Sequence, residues 1–563
     1  MKKKMLAVFI CLVMVAGLIP TVAFAAENEV DVWDGTSDTS WYNETDTEFH
    51  IKTAEQLAGL AELTNIGIDT GASTGNTFDN KIIYLDYDLD LGDYPWTPIT
   101  NRNVDDGYFF KGTFDGQGHT IYNLNRHGIG NDSFDSLFGY VQGGVIKNLN
   151  VVDADLSAND YSMHVGIIAA LVENGKIINC YTSGTVESVN GWRSIGGIAG
   201  SCMQGTQIVG CGSDANIISR KSESSDSVGG LVGEWLNANK TSVISDCWFN
   251  GSIVSEDLES TVGGLLAVGY NNNVEENVKI NNCMMVSSDL SSAEKEYTAV
   301  IAHLTGTPTV ADCFYKESDN GYHVITKLDK GSLAIDTSFD PTPCAKAITD
   351  FTDNDILVSL QNNASQGVVW VEGIEHPTFS WDLTNRLADY TAVDAAIARA
   401  TALDSSLYTN YSAVEDSINS VDRAKSKAQQ TEVDAMAKAI EDAITALQYK
   451  DADYTKVDAA IAKANALKKD DYKDFSGVET AVKAVVRGKN ITEQSEVDKM
   501  AKAIEDAIAA LEKKPASTKL GTSDKSPQTG DSSNLALCIA LLFISGGVAI
   551  GTTVVSRKKK YDR

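Results

Sequence analysis

Basic residues are scarce in this chain of 563 residues, which has 46 Lys and Arg against 77 Asp and Glu and a formal net charge of −31. So acidic a surface repels phosphate backbones and anionic lipids, which argues against nucleic acid as a partner. Proline is also rare, with 9 residues in the whole chain. Because proline interrupts strand ladders, its rarity leaves long stretches free to form repeated β-structure.

Sequence motifs of common catalytic and metal sites are missing as well. The 7 His form no HExxH, and neither G-x-S-x-G nor a phosphate-binding P-loop occurs. No CxxC pair accompanies the cysteines, so we predict no metal site and no cofactor. A loosely held divalent cation such as Ca²⁺ fits the acidic composition, although no motif supports it.

Both ends of the chain carry apolar segments that indicate export and anchoring. Lys2 to Lys4 precede an apolar run that ends in Ala23-Phe24-Ala25, so residues 1–25 are predicted to be a secretory signal peptide. Residues 535–555 form an uncharged run that, as a helix, is about 31 Å long and predicts a C-terminal transmembrane helix. The basic cluster behind it, Arg557 to Lys560, is the flank that stays cytoplasmic.

The segment before that run resembles the sorting signal of sortase-anchored cell-wall proteins of Gram-positive bacteria. Its residues are Ser526, Pro527, Gln528, Thr529 and Gly530. The resemblance implies cleavage by a sortase between Thr529 and Gly530, covalent attachment to peptidoglycan, and passage of the precursor through the plasma membrane. Ser526 stands where the family usually has Leu, which leaves the sortase class open. An ordinary membrane anchor is the alternative.

A repeat of about 30 to 36 residues dominates the first part of the exported chain. One landmark is an apolar residue, preceded in the later copies by Gly-Gly: Leu137, Ile167, Ile198, Leu231 and Leu265. The second landmark usually follows Asn or Asp: Leu149, Cys180, Cys211, Cys247, Cys283 and Cys313. Each short β-rich run is too small to bury itself, so the copies must stack. We predict a right-handed parallel β-helix with terminal caps over residues 26–382.

The repeated cysteines fit an inward-pointing column in that β-helix. Leu149 occupies the same place in the first copy, and Cys behaves as a small hydrophobe that buries well. We therefore favour reduced, stacked thiols over disulfides between neighbouring coils, which stay the alternative. The repeated Gly-Gly suits a bend where the backbone turns sharply or approaches the next coil.

Two segments in this region resemble GLUG-motif repeat proteins. They are Phe114 to Asn125, and Leu137-Phe138-Gly139 followed by Ile146 to Leu149. The resemblance extends over about residues 30–382 and implies the β-helix fold more firmly than any activity. The metallopeptidase activity of some GLUG-containing immunoglobulin A proteases uses HExxH, which this chain lacks.

A duplicated Ala-rich segment follows the β-helix. The sequence from Asp389 to Ile397 returns 64 residues later, from Asp453 to Ile461. Apolar residues three or four apart predict a three-helix bundle in each copy, at residues 389–448 and 453–512. The copies resemble FIVAR modules of Gram-positive surface proteins and are interpreted as spacers. A flexible linker over residues 513–525 then leads to the sorting signal in residues 526–563.

These features predict an extracellular, cell-wall-anchored protein, and three functions compete for its β-helix. The favoured one is an adhesin or a module that binds host or dietary glycans or proteins, with aromatic side chains stacking on sugar rings. A glycoside hydrolase or polysaccharide lyase is the second, and a purely structural wall protein the third. The stacking candidates are Trp192, Trp235 and Trp248, with Tyr122 and Tyr161, and the catalytic candidates are Asp115, Asp153, Asp155, Asp160 and Glu234, with His164 as partner.

Overall fold

The computed structural model describes twelve stretches of the chain. They are residues 32–66, 75–101, 109–127, 134–158, 163–189, 193–220, 225–237, 242–271, 278–293, 295–305, 309–329 and 334–515. The predicted signal peptide, the sorting signal and the predicted transmembrane helix at 535–555 lie outside them, as does linker residue 516 onward. Among the described residues, no helix combines the length and apolar content needed to cross a bilayer.

Thirty-five strands are described, and most of them are three to five residues long. In chain order they are β1 (Glu48–Ile51), β2 (Ile82–Leu85), β3 (Leu89–Asp90), β4 (Thr113–Asp115), β5 (Thr120–Tyr122), β6 (Asn125–His127), β7 (Phe134–Asp135), β8 (Phe138–Gln142), β9 (Val145–Lys147), β10 (Asn150–Ala158), β11 (His164–Gly166), β12 (Ala169–Glu173), β13 (Lys176–Ile178), β14 (Tyr181–Ser188), β15 (Ser194–Gly196), β16 (Ala199–Met203), β17 (Gln207–Val209), β18 (Gly212–Ser219), β19 (Ser227–Gly229), β20 (Val232–Asn237), β21 (Val243–Ser245), β22 (Trp248–Phe249), β23 (Ser252–Ser255), β24 (Thr261–Gly263), β25 (Leu266–Asn271), β26 (Lys279–Asn281), β27 (Met284–Met285), β28 (Leu290–Ser292), β29 (Thr298–Thr305), β30 (Thr309–Ala311), β31 (Cys313–Lys316), β32 (His323–Leu328), β33 (Ala345–Ile348), β34 (Trp370–Val371) and β35 (Thr378–Phe379).

Eight α-helices are described, two of which flank the β-region and six of which follow it. They are α1 (Ala54–Asn65), α2 (Asn354–Asn363), α3 (Thr391–Thr401), α4 (Ser412–Asn419), α5 (Gln430–Thr445), α6 (Thr455–Ala466), α7 (Ser476–Lys483) and α8 (Gln494–Ala509). Thr53 caps α1 by accepting a hydrogen bond from the backbone N–H of Gln56.

Three long sheets with parallel ladders wrap one apolar core, which confirms the predicted β-solenoid with about 8 turns. The first sheet runs β1-β2-β4-β9-β13-β17-β21-β26-β30 and the second is built on β3-β5-β10-β14-β18-β22-β27-β31-β33. The third is folded into two halves, β7-β11-β15-β19-β24 and β8-β12-β16-β20-β25, which join at β29. The middle coils each contribute one strand to the first sheet, then strands to the second, then two to the third.

The turn from the first sheet to the second explains the Asn or Asp that precedes each landmark. Asn148, Asn179, Asp246, Asn282 and Asp312 all have φ between 53° and 54°. This left-handed conformation is costly for most residues but accessible to Asn and Asp. Gly210, the exception to the pattern, has φ 66° in the same turn and meets the same backbone requirement.

The repeated Gly-Gly marks the fold of the third sheet, as predicted. A Cβ on Gly229 would lie 1.8 Å from the carbonyl oxygen of Val232, and one on Gly263 would lie 1.9 Å from that of Leu266. A Cβ on Gly230 would lie 2.0 Å from the carbonyl oxygen of Gly264 in the next coil. The first glycine therefore permits the sharp bend, and the second permits close stacking of the coils.

The seven cysteines of the described residues are free thiols, and the landmark cysteines form the predicted interior column. Each landmark Sγ lies 3.1–3.4 Å from the carbonyl oxygen two residues earlier and 3.6–3.9 Å from one in the preceding coil. The thiols therefore connect neighbouring coils by weak hydrogen bonds. Burial also raises the pKa of the Cys283 thiol, which keeps it protonated.

Residues 349–382, here called the flank cover, correct the prediction of an end cap. They lie along the outer face of the second sheet, where α2, β34 and β35 share a separate apolar core with Tyr181, Trp248, Met284 and Phe314. Asp246 fixes this contact, because it accepts hydrogen bonds from Trp370 Nε1 (3.1 Å) and from the backbone N–H of Ser365 (3.2 Å). The flank cover therefore packs against the side of the solenoid and not against its end.

The first helical module belongs to the same compact unit as the solenoid, which extends to residue 447 apart from residues 406–409. Helices α3, α4 and α5 share one core that includes Val393, Val414 and Ile440. Helix α4 ends at Asn419. The following segment is held extended by Tyr390, whose OH donates to the carbonyl of Asp422 (2.8 Å) and accepts from the N–H of Lys425 (3.1 Å).

The second compact unit contains the second helical module, built by α6, α7 and α8 around Val457, Val478 and Ile504. Its tyrosine makes the same two contacts as in the first module: Tyr454 OH donates to the carbonyl of Val486 (2.9 Å) and accepts from the N–H of Lys489 (3.1 Å). The duplication seen in the sequence is thus a duplication of local structure.

Candidate functional site

The bend in the third sheet brings its two halves, which form two walls, into side-chain contact. On one wall His164 and Ser194 point outward, because their neighbours Val165 and Ile195 lie in the solenoid core. On the other wall Ser201 and Glu234 are strand partners, while Cys202 and Trp235 beside them point inward. We call the group His164, Ser194, Ser201 and Glu234 at this bend the outer cleft.

A hydrogen bond between the two walls fixes the geometry of the outer cleft. Ser194 Oγ donates to Glu234 Oε2 at 3.1 Å, although the residues are 40 positions apart. Burial raises the pKa of the Glu234 carboxyl, and the Ser194 hydroxyl offsets only part of that effect. The Glu234 carboxyl group therefore stays protonated to a higher pH than an ordinary glutamate does.

His164 lies beside Ser194 on the adjacent strand and is held neutral. Burial, helped by the positive charge of Arg193, lowers the pKa of its imidazole to about 4. Its ring stacks on Phe134 with 6.1 Å between centroids. Among the described residues, nothing hydrogen-bonds to the buried Nδ1 of His164 or to the buried Oγ of Ser201. Polar atoms of this kind are usually satisfied, so the outer cleft retains unused hydrogen-bonding capacity.

An apolar patch adjoins the polar part of the outer cleft. Phe134, Tyr140, Ala170 and Leu171 are buried together outside the main core, with Phe109 and Met203 packed against them. The OH of Tyr140 donates to Glu173 Oε2 at 2.7 Å. These apolar side chains are buried against one another, so the cluster packs beside the hydroxyl, imidazole and carboxyl groups and presents no exposed aromatic face.

The structure brings together two of the predicted catalytic candidates and separates the others. Glu234 and His164 share the outer cleft, whereas Asp153 and Asp155 are exposed on the second sheet, where Asp155 Oδ2 lies 3.0 Å from His127 Nε2. Asp115 has a structural role: burial alone would raise its pKa, but hydrogen bonds from Asn148 and Lys147 hold the pKa below its usual value. Asp160 and Tyr161 lie outside the described residues.

The predicted stacking tryptophans are not surface residues. Trp235 points into the solenoid core and Trp248 lies beneath the flank cover, with its ring centroid 4.6 Å from that of His376. Both side chains are 0% exposed, so neither presents a face to a sugar, and the prediction for these two is corrected. Trp192 lies outside the described residues. Tyr122, on β5, is half-buried.

Ser194 and Ser201 were missed by the sequence reasoning. Their only sequence signal is position: Ser194 lies two residues before the Gly196-Gly197 bend and Ser201 four residues after it. Among the described residues, no group of three or more His, Cys, Asp or Glu side chains is suited to a metal ion.

No family model matches the chain. A segment of halomucin from Haloquadratum walsbyi is 30% identical over 178 residues, which cover 30% of this chain and 2% of halomucin. A crystal structure from Bacteroides ovatus, described as an immunoglobulin A1 protease, aligns with a TM-score of 0.40 and 20% identity over 60% of this chain and 93% of its own. A structure named IgA1 protease aligns with a TM-score of 0.32 and 13% identity over 67% of this chain and 28% of its own.

Proposed function

We propose that this chain is an extracellular surface protein whose solenoid binds glycans in the outer cleft. The observation that carries the proposal is the Ser194–Glu234 hydrogen bond across the bend, beside a neutral His164 whose Nδ1 is unused. A neutral sugar offers hydroxyl groups that both donate and accept, which suits a protonatable carboxyl and an imidazole. The sequence likeness to halomucin supports the surface location.

Attachment to the cell wall belongs to the same proposal. Sortase would cleave the chain after Thr529 and join it to peptidoglycan, on the strength of the resemblance from Ser526 to Gly530. The two helical modules then act as spacers between the wall and the solenoid. Their apolar side chains support this role, because the buried stripes of α3 to α8 are used in the two module cores.

Glycan cleavage is the second candidate function, and Glu234 favours it. A carboxyl whose pKa is raised by burial can act as a general acid toward a glycosidic oxygen. Cleavage by two carboxyl groups would need a second one about 5 to 10 Å away in the same cleft. Glu173 lies on the third sheet near Tyr140 but is engaged in a hydrogen bond with it. Binding without cleavage is therefore the simpler function.

Retention and product release distinguish the candidates in one experiment. The purified full chain, kept in mild detergent, is incubated with immobilised mucin and plant glycan panels, and both bound protein and new reducing ends are measured. We expect retention without reducing ends. If the wild type releases reducing ends and Glu234→Gln does not, the function of the outer cleft is catalysis and not binding alone. If neither retention nor release is observed, only the structural role remains.

A matched pair of variants ties the result to the outer cleft. Glu234→Gln keeps the shape of the side chain but removes its proton-dependent charge, and should weaken retention. Asp155→Asn makes the same chemical change at an exposed carboxylate on the second sheet and should leave retention unchanged. Equal retention of both variants would contradict the placement of the site.

A further inference from the structure

The column of thiols ends at a cavity that also contains the one thiol outside the solenoid interior among the described residues. The cavity has a volume of about 570 Å³ and lies between the last coil and β33, with Asp312, Cys313, Cys344 and Lys346 in its wall. Cys313 is buried, whereas Cys344 is partly exposed. The last thiol of the column therefore meets a thiol that solvent reaches.

The backbone places the Cα atoms of these two cysteines at a spacing that a disulfide allows. Cys313 is the parallel-ladder partner of Ala345, the residue that follows Cys344. Strands lie about 4.8 Å apart and consecutive Cα atoms about 3.8 Å, so the Cα atoms of Cys313 and Cys344 are about 6 Å apart. Disulfide-bonded cysteines have Cα atoms about 4.4 to 6.8 Å apart. Cys344 also packs against the same core that contains Cys313.

Neighbouring thiols within the column are placed differently. Cys180, Cys211, Cys247, Cys283 and Cys313 are successive in-register positions, because the residue after each pairs with the residue after the next. Their Cβ atoms point the same way, about 4.8 Å apart, which is wider than the roughly 3.5 to 4.5 Å of a disulfide. Cys344 instead precedes β33 in a turn, where its N–H donates to the carbonyl of Pro341 (2.9 Å), and it is displaced by one residue from the position in register with Cys313.

We propose that Cys313 and Cys344 are the site of a single intrachain disulfide, formed by exchange with an external low-molecular-weight disulfide. The Cys344 thiolate attacks one sulfur of the external disulfide and releases the first external thiol. The Cys313 thiolate then attacks Cys344 Sγ and releases the second. Two cysteine thiols are oxidised, one external disulfide is reduced to two thiols, and both protons pass to the released thiolates.

The bond would fix the flank cover to the solenoid. Strand β33 pairs with β31 and leads directly into residues 349–382, so a covalent tie at Cys344 holds the start of the cover on the last coil. Burial raises the pKa of the Cys344 thiol, with Cys313 and Asp340 adding to the effect. Exchange is therefore slow at neutral pH and faster at a mildly alkaline pH, where more thiolate is present.

Oxidised glutathione provides the test. The reduced full chain is incubated with it at about pH 8.5, remaining thiols are alkylated after unfolding, and linked peptides are mapped without reduction. The proposal predicts the loss of two thiols and one linked peptide pair, Cys313 with Cys344. A glutathione adduct on Cys344 alone, a link between two other cysteines, or no loss of thiols would overturn it.

Two variants separate this site from general oxidation. Cys344→Ser should lose no thiols under the same conditions, whereas Cys202→Ser, which removes another buried thiol outside the column, should still lose two. The wild-type peptide map decides the question even where a variant folds poorly. Limited proteolysis adds a structural readout, because cleavage within residues 349–382 should be slower in the oxidised protein than in the reduced one.

Discussion

Replacing Asp246 by Ala should detach the flank cover from the solenoid. The carboxylate of Asp246 is fully buried and accepts three hydrogen bonds. Its Oδ1 receives Asn282 Nδ2 at 2.6 Å and Trp370 Nε1 at 3.1 Å, and its Oδ2 receives the N–H of Ser365 at 3.2 Å. Two of these donors, from Trp370 and Ser365, belong to the flank cover.

The size of the effect follows from what happens to each donor. Asn282 Nδ2 also donates to the carbonyl of Leu360 (3.0 Å), so it stays partly satisfied. Trp370 Nε1 and the N–H of Ser365 lose a charged acceptor, and each buried donor left unpaired costs about 1 to 3 kcal/mol. Together with the loss at Asn282, we expect the free energy of unfolding to fall by about 3 to 5 kcal/mol.

Asp312→Ala is the matched control for the backbone. Asp312 occupies the same turn in the last coil with the same φ of 53°, but its side chain is exposed. Its replacement therefore carries the cost of alanine in the left-handed conformation, about 1 kcal/mol, without the lost hydrogen bonds. Urea denaturation followed by tryptophan fluorescence measures both variants. Equal losses for Asp246→Ala and Asp312→Ala would refute the assignment of Asp246 as the fastening point of the cover.

Two further predictions concern the bend and the interior. Gly229→Ala should destabilise the solenoid strongly, because the new Cβ would lie 1.8 Å from a backbone oxygen. Gly477→Ala in α7 meets nothing within 4 Å and should stabilise its own module. Calorimetry of both variants measures the two effects, and a Gly229→Ala variant as stable as wild type would contradict the packing. His303 is fully buried, and burial lowers its pKa from 6.5 to about 4. Between these pH values the unfolded chain binds a proton that the folded chain does not, so stability present above pH 6.5 is lost as the pH falls toward 4. The midpoint of thermal unfolding should therefore drop more steeply in wild type than in His303→Gln, and parallel curves would contradict the buried neutral imidazole.

The solenoid could be predicted from the sequence because its determinants are local and recur from coil to coil. A column of small apolar residues and, in the later copies, a Gly-Gly pair recur every 30 to 36 residues, and each has one role in the structure. The Asn or Asp before each landmark was visible too, but its cause was not. The positive φ of that turn explains both the pattern and its exception, Gly210.

The flank cover was missed because it depends on long-range contacts. Adjacent strand residues point to opposite faces, so a strand with two successive fully buried residues must be covered on both sides. Trp248 and Phe249 are both fully buried, as are Met284 and Met285. These adjacent apolar pairs were the available signal that something packs outside the second sheet. They also explain why Trp248 cannot serve as a sugar platform.

The outer cleft was half predicted. Glu234 and His164 were named as candidates from residue type, but Asp115, Asp153 and Asp155 were named on the same grounds and lie elsewhere. Only the fold of the third sheet decides which side chains face each other, since Ser194 and Glu234 meet across 40 residues of chain. Residue type suggested chemistry, and topology selected the site.

The affinity of the outer cleft for a retained glycan tests the central claim most directly. Isothermal titration calorimetry compares the full-length wild type with Glu234→Gln and Asp155→Asn. The loss of one hydrogen bond to a charged or protonated carboxyl predicts about tenfold weaker binding for Glu234→Gln, and unchanged binding for Asp155→Asn. Wild-type affinity in Glu234→Gln, or an equal loss in Asp155→Asn, would contradict glycan binding at the bend of the third sheet.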